Sequence, residues 1–385
     1  MINYDVAVIG GGIQGAGIAQ ASAAAGFHTV LLEKHCWGGA TSSSSSKLIH
    51  GGLRYLETGQ IKLVFQALTE RDILLKIAPD LVHPVRFVIP VYKDSQRSPL
   101  HVKLGLELYR LLALFRSHHQ IGSIAPKQWT TLDGLDIDGL HSVFSYYDAQ
   151  TDDQLLTKAV VRSAQDLGAE AQQNCSVDKI NKTSDRYLLE LSTGTSLSAH
   201  MVINASGPWT QSVASTINPA CAIPAIDLVR GSHIEISQPP AKQVYYIESH
   251  IDHRAILVMP WKGRTLIGTT EQLHSSIEDP IIPSEKECDY LIQSYQRKFP
   301  SNNIKVVAKW AGLRVLPCSP DSPFRRSRDT LYFCDKRNHP NVLSVYGGKL
   351  TTYRHTGEVV KDWICKHLPP RKPIADTRKL KLSAS

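Results

Sequence analysis

The stretch Gly10-Gly11-Gly12-Ile13-Gln14-Gly15 decides the fold. The apolar run Val6 to Ile9 leads into it, and small residues from Ala16 to Ala25 follow. A second apolar run, Thr29 to Leu32, ends at the acid Glu33. Strand, glycine turn, helix, strand and acid stand in the order of a dinucleotide-binding βαβ unit. Gly10 permits the tight turn, Gly12 lets the main chain approach a pyrophosphate, and Gly15 lets helix and strand pack closely. The first turn of the helix offers N–H groups and the positive end of a dipole to that pyrophosphate. Glu33 accepts hydrogen bonds from a ribose and repels a 2′-phosphate, so an adenine dinucleotide other than NADP is expected. A glycine-rich surface turn would explain neither the flanking strands nor Glu33.

The chain has 385 residues, 42% hydrophobic and 20% charged. That length buries a large core and divides into two domains. No apolar run approaches the ~18 residues of a membrane span. The first apolar run enters the glycine turn with no basic segment before it, unlike a signal peptide. A cytoplasmic protein is expected, attached at most peripherally to the cytoplasmic face of the inner membrane. The seven cysteines form no C-x-x-C pair, which argues against a disulfide framework, an iron–sulfur cluster or a cysteine zinc site. No metal is expected. The net charge of +8 fits an anionic substrate or an anionic lipid surface. No motif that reads nucleic acid is present.

Beyond Glu33 a serine run, Ser42 to Ser46, meets Lys47, His50, Gly51, Gly52, Arg54 and Tyr55. Hydroxyls and exposed N–H groups in such a turn suit a pyrophosphate better than a linker does. Apolar spacing predicts helices over 61–77, over 100–115 and over 160–167. The second of these faces a core or lies in a membrane interface with Lys103, Arg110 and Arg116. Closely spaced strand-like runs at 233–236, 244–247, 255–259 and 265–267 predict an antiparallel sheet. A last strand, 342–345, runs into Gly347-Gly348-Lys349 and a helix reaching about His367. The fold class is therefore α/β with α+β character: a discontinuous dinucleotide domain with an inserted antiparallel-sheet substrate domain. The cofactor domain is read as 1–80, 148–212 and 311–367, and the substrate domain as 81–147 and 213–310. Residues 368–385, rich in Lys, Arg and Pro, read as a flexible basic tail.

Several stretches together resemble the FAD-dependent glycerol-3-phosphate dehydrogenases, whose flavin fold is shared with D-amino-acid oxidase and glycine oxidase. The specific ones are Ser45-Ser46-Lys47-Leu48-Ile49-His50-Gly51-Gly52-Leu53-Arg54-Tyr55 and Gly347-Gly348-Lys349-Leu350-Thr351-Thr352-Tyr353-Arg354. Asn204-Ala205-Ser206-Gly207-Pro208-Trp209, Gly231-Ser232-His233 and Gly268-Thr269-Thr270 also match. Three departures stand out. Glu271 replaces the usual Asp, and Ser206 the usual Thr. The family commonly adds a C-terminal helical domain of about a hundred residues, whereas this sequence ends soon after its last motif. Oligomeric state is thereby left open, a homodimer included.

The resemblance implies FAD as cofactor and oxidation of sn-glycerol 3-phosphate to dihydroxyacetone phosphate, with membrane quinone as electron acceptor. It assigns FAD to Gly10, Gly12, Gly15, Glu33, Thr41, Ser42, Ser46, Leu48, Gly207, Trp209, Gly348, Lys349, Leu350 and Thr351. Substrate binding falls to Arg54, Tyr55, Arg254, Thr269, Arg314, Arg328 and Lys349, since forked guanidiniums match phosphate oxygens. Catalysis falls to His50 or His233 as proton acceptor, with Arg314 beside the forming alkoxide. The competing expectations are a glycerol-3-phosphate oxidase using O2, an amine oxidase of the same fold, and a flavin-binding protein without activity.

Overall fold

The computed structural model describes residues 2–113, 121–221, 223–239, 241–318, 326, 329–336 and 340–383. The glycine turn connects the central strand of the first sheet, Ile2–Ile9, to helix α1, Ile13–Ala24. Ile2–Ile9 lies between Ser196–Asn204 and Thr29–Leu32, both parallel to it. Glu170–Gln172 extends the parallel array on one side, and Val342–Gly347 pairs with the end of Ser196–Asn204. The antiparallel pair Val177–Lys182 and Tyr187–Leu191 flanks it. Such continuous Val, Ile and Leu runs are what a parallel strand covered on both faces requires.

Further helices are α2, Ile61–Ile77; α3, Pro99–Leu112; α4, Asp153–Asp166; α5, Thr210–Ser215; α6, Glu285–Gln296; and α7, Tyr353–His367. Helices α1, α4 and α7 share one core with the parallel strands: Val8, Leu31 and Ile203 meet Ile18, Leu156, Val160, Val360 and Ile364. The small residues of α1 are needed for that packing. A Cβ on Gly17 would stand 2.6 Å from the Tyr353 ring, and one on Gly357 would stand 2.5 Å from the Gly17 carbonyl oxygen.

The second sheet is antiparallel except where Val244–Glu248 runs parallel beside Val82–Tyr92. Val82–Tyr92 pairs with Leu140–Thr151, and Ile226–Ile236 with Val306–Pro317. Ala255–Trp261 and Arg264–Gly268 complete the meander expected from the sequence. The short strand Leu48–Ile49 pairs with Gln150 and Ala149, so the serine loop is stitched to this sheet.

Three sequence readings need correction. The boundaries drawn at 148 and 311 fall inside the continuous strands Leu140–Thr151 and Val306–Pro317, both of the second sheet, and Ile217–Asn218 pairs back into the first. The C-terminal segment, where described, is packed rather than flexible. The Ile374 N–H donates to the Ala24 carbonyl at 2.8 Å, and the Thr377 hydroxyl donates to Glu358 at 2.6 Å. Leu382 is buried, with its N–H on the Ile77 carbonyl. Arg371 also pairs with Asp5 at 2.9 Å and Lys381 donates to the Lys76 carbonyl at 2.6 Å, contacts that basic composition does not reveal. Helix α4 begins at Asp153, earlier than its apolar spacing shows, because Asp152 caps it by accepting from the Leu155 N–H at 3.1 Å.

Helix α3 packs one face on the core and leaves leucines exposed on the other. Val102, Leu106 and Tyr109 are buried, whereas Leu100, Leu104, Leu108 and Leu111 are 65%, 60%, 37% and 53% exposed. Phe115 and Arg116 lie outside the described residues.

Candidate active site

The parallel strands end in register, Ile9 opposite Leu32 and Asn204, and Asn204 opposite Ser344. That register gathers the residues after each strand, Gly10, Glu33, Ser206 and Gly348, at one sheet edge. Ligands of open α/β sheets bind at this edge. Gly10 holds φ +107, and a Cβ there would meet the Ala205 carbonyl oxygen at 2.6 Å. A Cβ on Gly15 would fall 1.9 Å from the Gly10 oxygen, so helix and strand touch as expected. Gly12 differs, because a Cβ there would meet only the Ser42 hydroxyl, at 3.2 Å. The start of α1 carries no acid in its first turn. The Ile13 N–H donates to Ser42 Oγ at 2.9 Å, which leaves that hydroxyl proton to donate onward. Open space, main-chain donors and one hydroxyl fit a diphosphate. Glu33 accepts from the N–H groups of Gly11 at 2.6 Å and His35 at 2.8 Å, which aims its carboxylate beside the turn.

The remaining cofactor candidates divide. Gln14 of α1 donates to the Lys349 carbonyl at 3.2 Å and so ties the first glycine turn to the last. Thr351 accepts from the His50 N–H at 3.2 Å, Gly348 holds φ +80, and Leu350 packs against the parallel-sheet core. Gly207, at φ +57, and half-buried Trp209 enter α5 from the end of Ser196–Asn204. The Thr41 hydroxyl is committed to the Leu313 carbonyl at 2.8 Å. The Leu48 side chain lies in the core with Val64 and Leu68, so only its main chain can face a cofactor. Ser46 Oγ stands 2.9 Å from His233 Nε2.

The cationic candidates converge. Arg54, Arg254 and Arg314 reach the carboxylate of Glu271 at 3.6, 3.9 and 3.2 Å. Arg314 also donates to Thr269 Oγ1 at 3.0 Å, and Arg254 pairs with Asp252 at 2.7 Å. The Tyr55 ring lies against Lys349 Nζ at 3.7 Å and the Arg54 guanidinium at 5.2 Å. Arg328 lies outside the described residues. Among the described residues no group of three or more His, Cys, Asp or Glu is placed to hold a metal ion.

Both histidines are held neutral. Burial, then the charges of Lys349, Arg54 and Arg71, lower His50 to about 3. Burial, then Arg314 and Lys47, lower His233 to about 3. His50 keeps part of its surface, whereas His233 is 1% exposed and stacks on Trp310. A histidine depressed below its ordinary 6.5 binds fewer protons folded than unfolded, so stability falls as pH drops from 6.5 toward 3. Fully buried His233 contributes up to about 1.4 kcal/mol per pH unit in that window. Chemical denaturation between pH 5 and 7 is expected to show this slope, and His233→Asn to flatten it. An unchanged slope would mean that His233 is charged in the folded protein.

Sequence reasoning missed the two buried networks that brace these loops. Lys47, at φ +59, donates to Asp153 Oδ1 at 2.7 Å and to the Ser43 carbonyl at 2.6 Å. The same carboxylate accepts from Ser45 N and Oγ at 3.0 and 2.6 Å. Beneath the next loop, the Tyr109 hydroxyl donates to Asp148 and accepts from the Gly51 N–H at 2.9 Å, and Arg71 bonds Asp148 from the other side. Lys47 belongs to the serine–Lys-Leu-Ile-His-Gly-Gly-Leu-Arg-Tyr stretch. No local signal marked Asp148 or Asp153. Glu271 shows in the sequence only as a departure from the family's Asp.

The FAD dependent oxidoreductase family, abbreviated DAO, matches residues 5–354. A glycerol-3-phosphate dehydrogenase of Synechocystis sp. is 33% identical over 399 residues, covering 97% of this chain and 72% of the relative. The glycerol-3-phosphate dehydrogenase of Bacillus halodurans, solved with FAD, is 25% identical with a TM-score of 0.76, covering 99% of this chain and 68% of that one. The L-alpha-glycerophosphate oxidase of Mycoplasma pneumoniae, solved with FAD bound, shares the fold at 18% identity and TM-score 0.77, covering 100% and 99%. With the glycine turns and the cationic cluster in place, this chain belongs to the FAD-dependent oxidoreductases, in the glycerol-3-phosphate dehydrogenase family.

Proposed function

We propose that this protein oxidises sn-glycerol 3-phosphate to dihydroxyacetone phosphate and passes the electrons to membrane quinone. The observation that carries the reading is the convergence of Arg54, Arg254 and Arg314 on Glu271, with Lys349 of the second glycine turn sharing the Tyr55 ring with Arg54. Bound FAD supplies the acceptor for the hydride that leaves C2. Forked guanidiniums from separate segments grip the phosphate and fix the position of C2. The C2 hydroxyl proton goes to a neutral imidazole. His50 suits this better than His233, because it keeps accessible surface between Arg54 and Lys349. A dianionic substrate offsets those two charges and so raises the basicity of His50 as it binds. An amino acid carries one carboxylate and would leave most of the cluster uncompensated. The relatives include both a dehydrogenase and an oxidase, so the acceptor needs its own experiment. Turnover with a short-chain quinone and little peroxide supports the quinone reading, and stoichiometric peroxide in air overturns it.

Delivery to a membrane quinone requires a membrane-facing surface. Among the described residues no helix is long and apolar enough to cross a membrane. The exposed leucines of α3 recur at helical spacing, and Ile61 and Phe65 of α2 are also exposed. Each such side chain gains about 1.5–3 kcal/mol when fully buried in an apolar phase, and Lys103 and Arg110 suit an anionic interface. Leu104→Glu with Leu108→Glu is expected to abolish co-sedimentation with anionic vesicles and to preserve turnover with a soluble dye. Unchanged sedimentation would remove α3 from the membrane contact.

A further inference from the structure

We propose that Glu271 is the internal counter-anion of the substrate site: it keeps the guanidinium cluster assembled and weakens phosphate binding enough for a phosphate-bearing product to leave. The inference rests on the phosphate-ester reading above.

The Glu271 side chain is 5% exposed, and three guanidiniums from three separate segments meet at its carboxylate. Arg54 comes from the turn Leu53–Leu56, Arg254 from the residue before Ala255–Trp261, and Arg314 from Val306–Pro317. Like charges gathered this closely repel, and repulsion is strong where water is scarce. A carboxylate at their centre removes that repulsion in the free enzyme. Its mark is visible on Arg54: burial alone would lower that group, yet Tyr55 and then Glu271 outweigh burial and raise it.

The same carboxylate has two opposed effects on an entering phosphate. It orders the donors, which favours binding, and it repels the phosphate and shares those donors, which opposes binding. Ordering does not depend on Glu271 alone. Thr269 holds Arg314, Asp252 holds Arg254, and the Tyr55 ring lies under Arg54. Asp252 adds a second negative charge through Arg254, but Glu271 reaches all three guanidiniums, so its repulsion of an entering dianion outweighs its ordering role. Substrate and product carry the same phosphate, and binding strength common to both slows release without speeding the chemical step.

The test is calorimetric titration of inorganic phosphate into the resting FAD-loaded protein. Glu271→Gln is expected to bind phosphate at least tenfold more tightly, and Glu271→Met to do the same. Glu271→Asp, which keeps the charge, should stay within about threefold of the wild type, the scale of one modest contact. Equal or weaker binding by both neutral variants, with FAD content and Tm retained, overturns the proposal. Arg54→Ala distinguishes the counter-anion role from phosphate binding itself. If phosphate binds wild type, is lost in Arg54→Ala and is no tighter in Glu271→Gln, only the counter-anion role falls. If phosphate binds neither wild type nor Glu271→Gln, the phosphate-ester reading falls and takes this inference with it.

Discussion

Gly12→Val is expected to give a folded protein that retains no FAD. A Cβ at Gly12 would meet only the Ser42 hydroxyl, at a tight 3.2 Å that a small shift of that serine side chain relieves, and no main-chain atom. The space a valine fills is the space a pyrophosphate needs at the start of α1. The Cα of Gly12 carries φ −73, so the substitution brings no backbone strain. Gly15 provides the contrast. There a Cβ would stand 1.9 Å from a main-chain oxygen, and substitution should damage the fold as well as the cofactor site. The check is the flavin absorbance of purified protein together with its circular dichroism. A yellow Gly12→Val protein would contradict the placement of the pyrophosphate.

Arg54→Ala should raise KM for sn-glycerol 3-phosphate by about 10- to 100-fold, the loss of one charge-assisted contact worth about 1.5–3 kcal/mol. FAD should remain bound, because the Arg54 guanidinium is directed at the Glu271 carboxylate that it shares with Arg254 and Arg314. Removing it also leaves Glu271 with two guanidiniums among those described, which strengthens its repulsion of phosphate. The two effects act in the same direction. An unchanged KM would remove Arg54 from the phosphate contact.

The glycine turns were legible in the sequence because their geometry is local. Gly15 is constrained by the nearby Gly10 oxygen and Gly10 by its own positive φ, and the spacing to Glu33 is set by one helix and one strand. The meander of the second sheet was legible for the same reason. Charge pairing was not legible where it closes across the chain. Lys47 finds Asp153, and Arg71 finds Asp148, through the pairing of Leu48–Ile49 and Val82–Tyr92 with Leu140–Thr151. No local pattern records that partner choice. Arg54, Arg254 and Arg314 could each be named as candidates, but their common focus on Glu271 depends on three segments folding together. Composition misled at the C-terminal segment, where three neutral residues, Ile374, Thr377 and Leu382, dock between solvated charges. Leu48 was named from its motif neighbours, and alternation along its strand turns its side chain to the core.

We propose that the cationic cluster and the neutral histidine serve oxidation of a phosphate ester at FAD. Anaerobic mixing of the purified protein with sn-glycerol 3-phosphate, followed through flavin absorbance, tests it without any assumption about the electron acceptor. Rapid bleaching of the oxidised spectrum, saturating with substrate, is expected, and none with glycine or glycerol. A flavin spectrum that stays unchanged with sn-glycerol 3-phosphate but bleaches with an amino acid would contradict it.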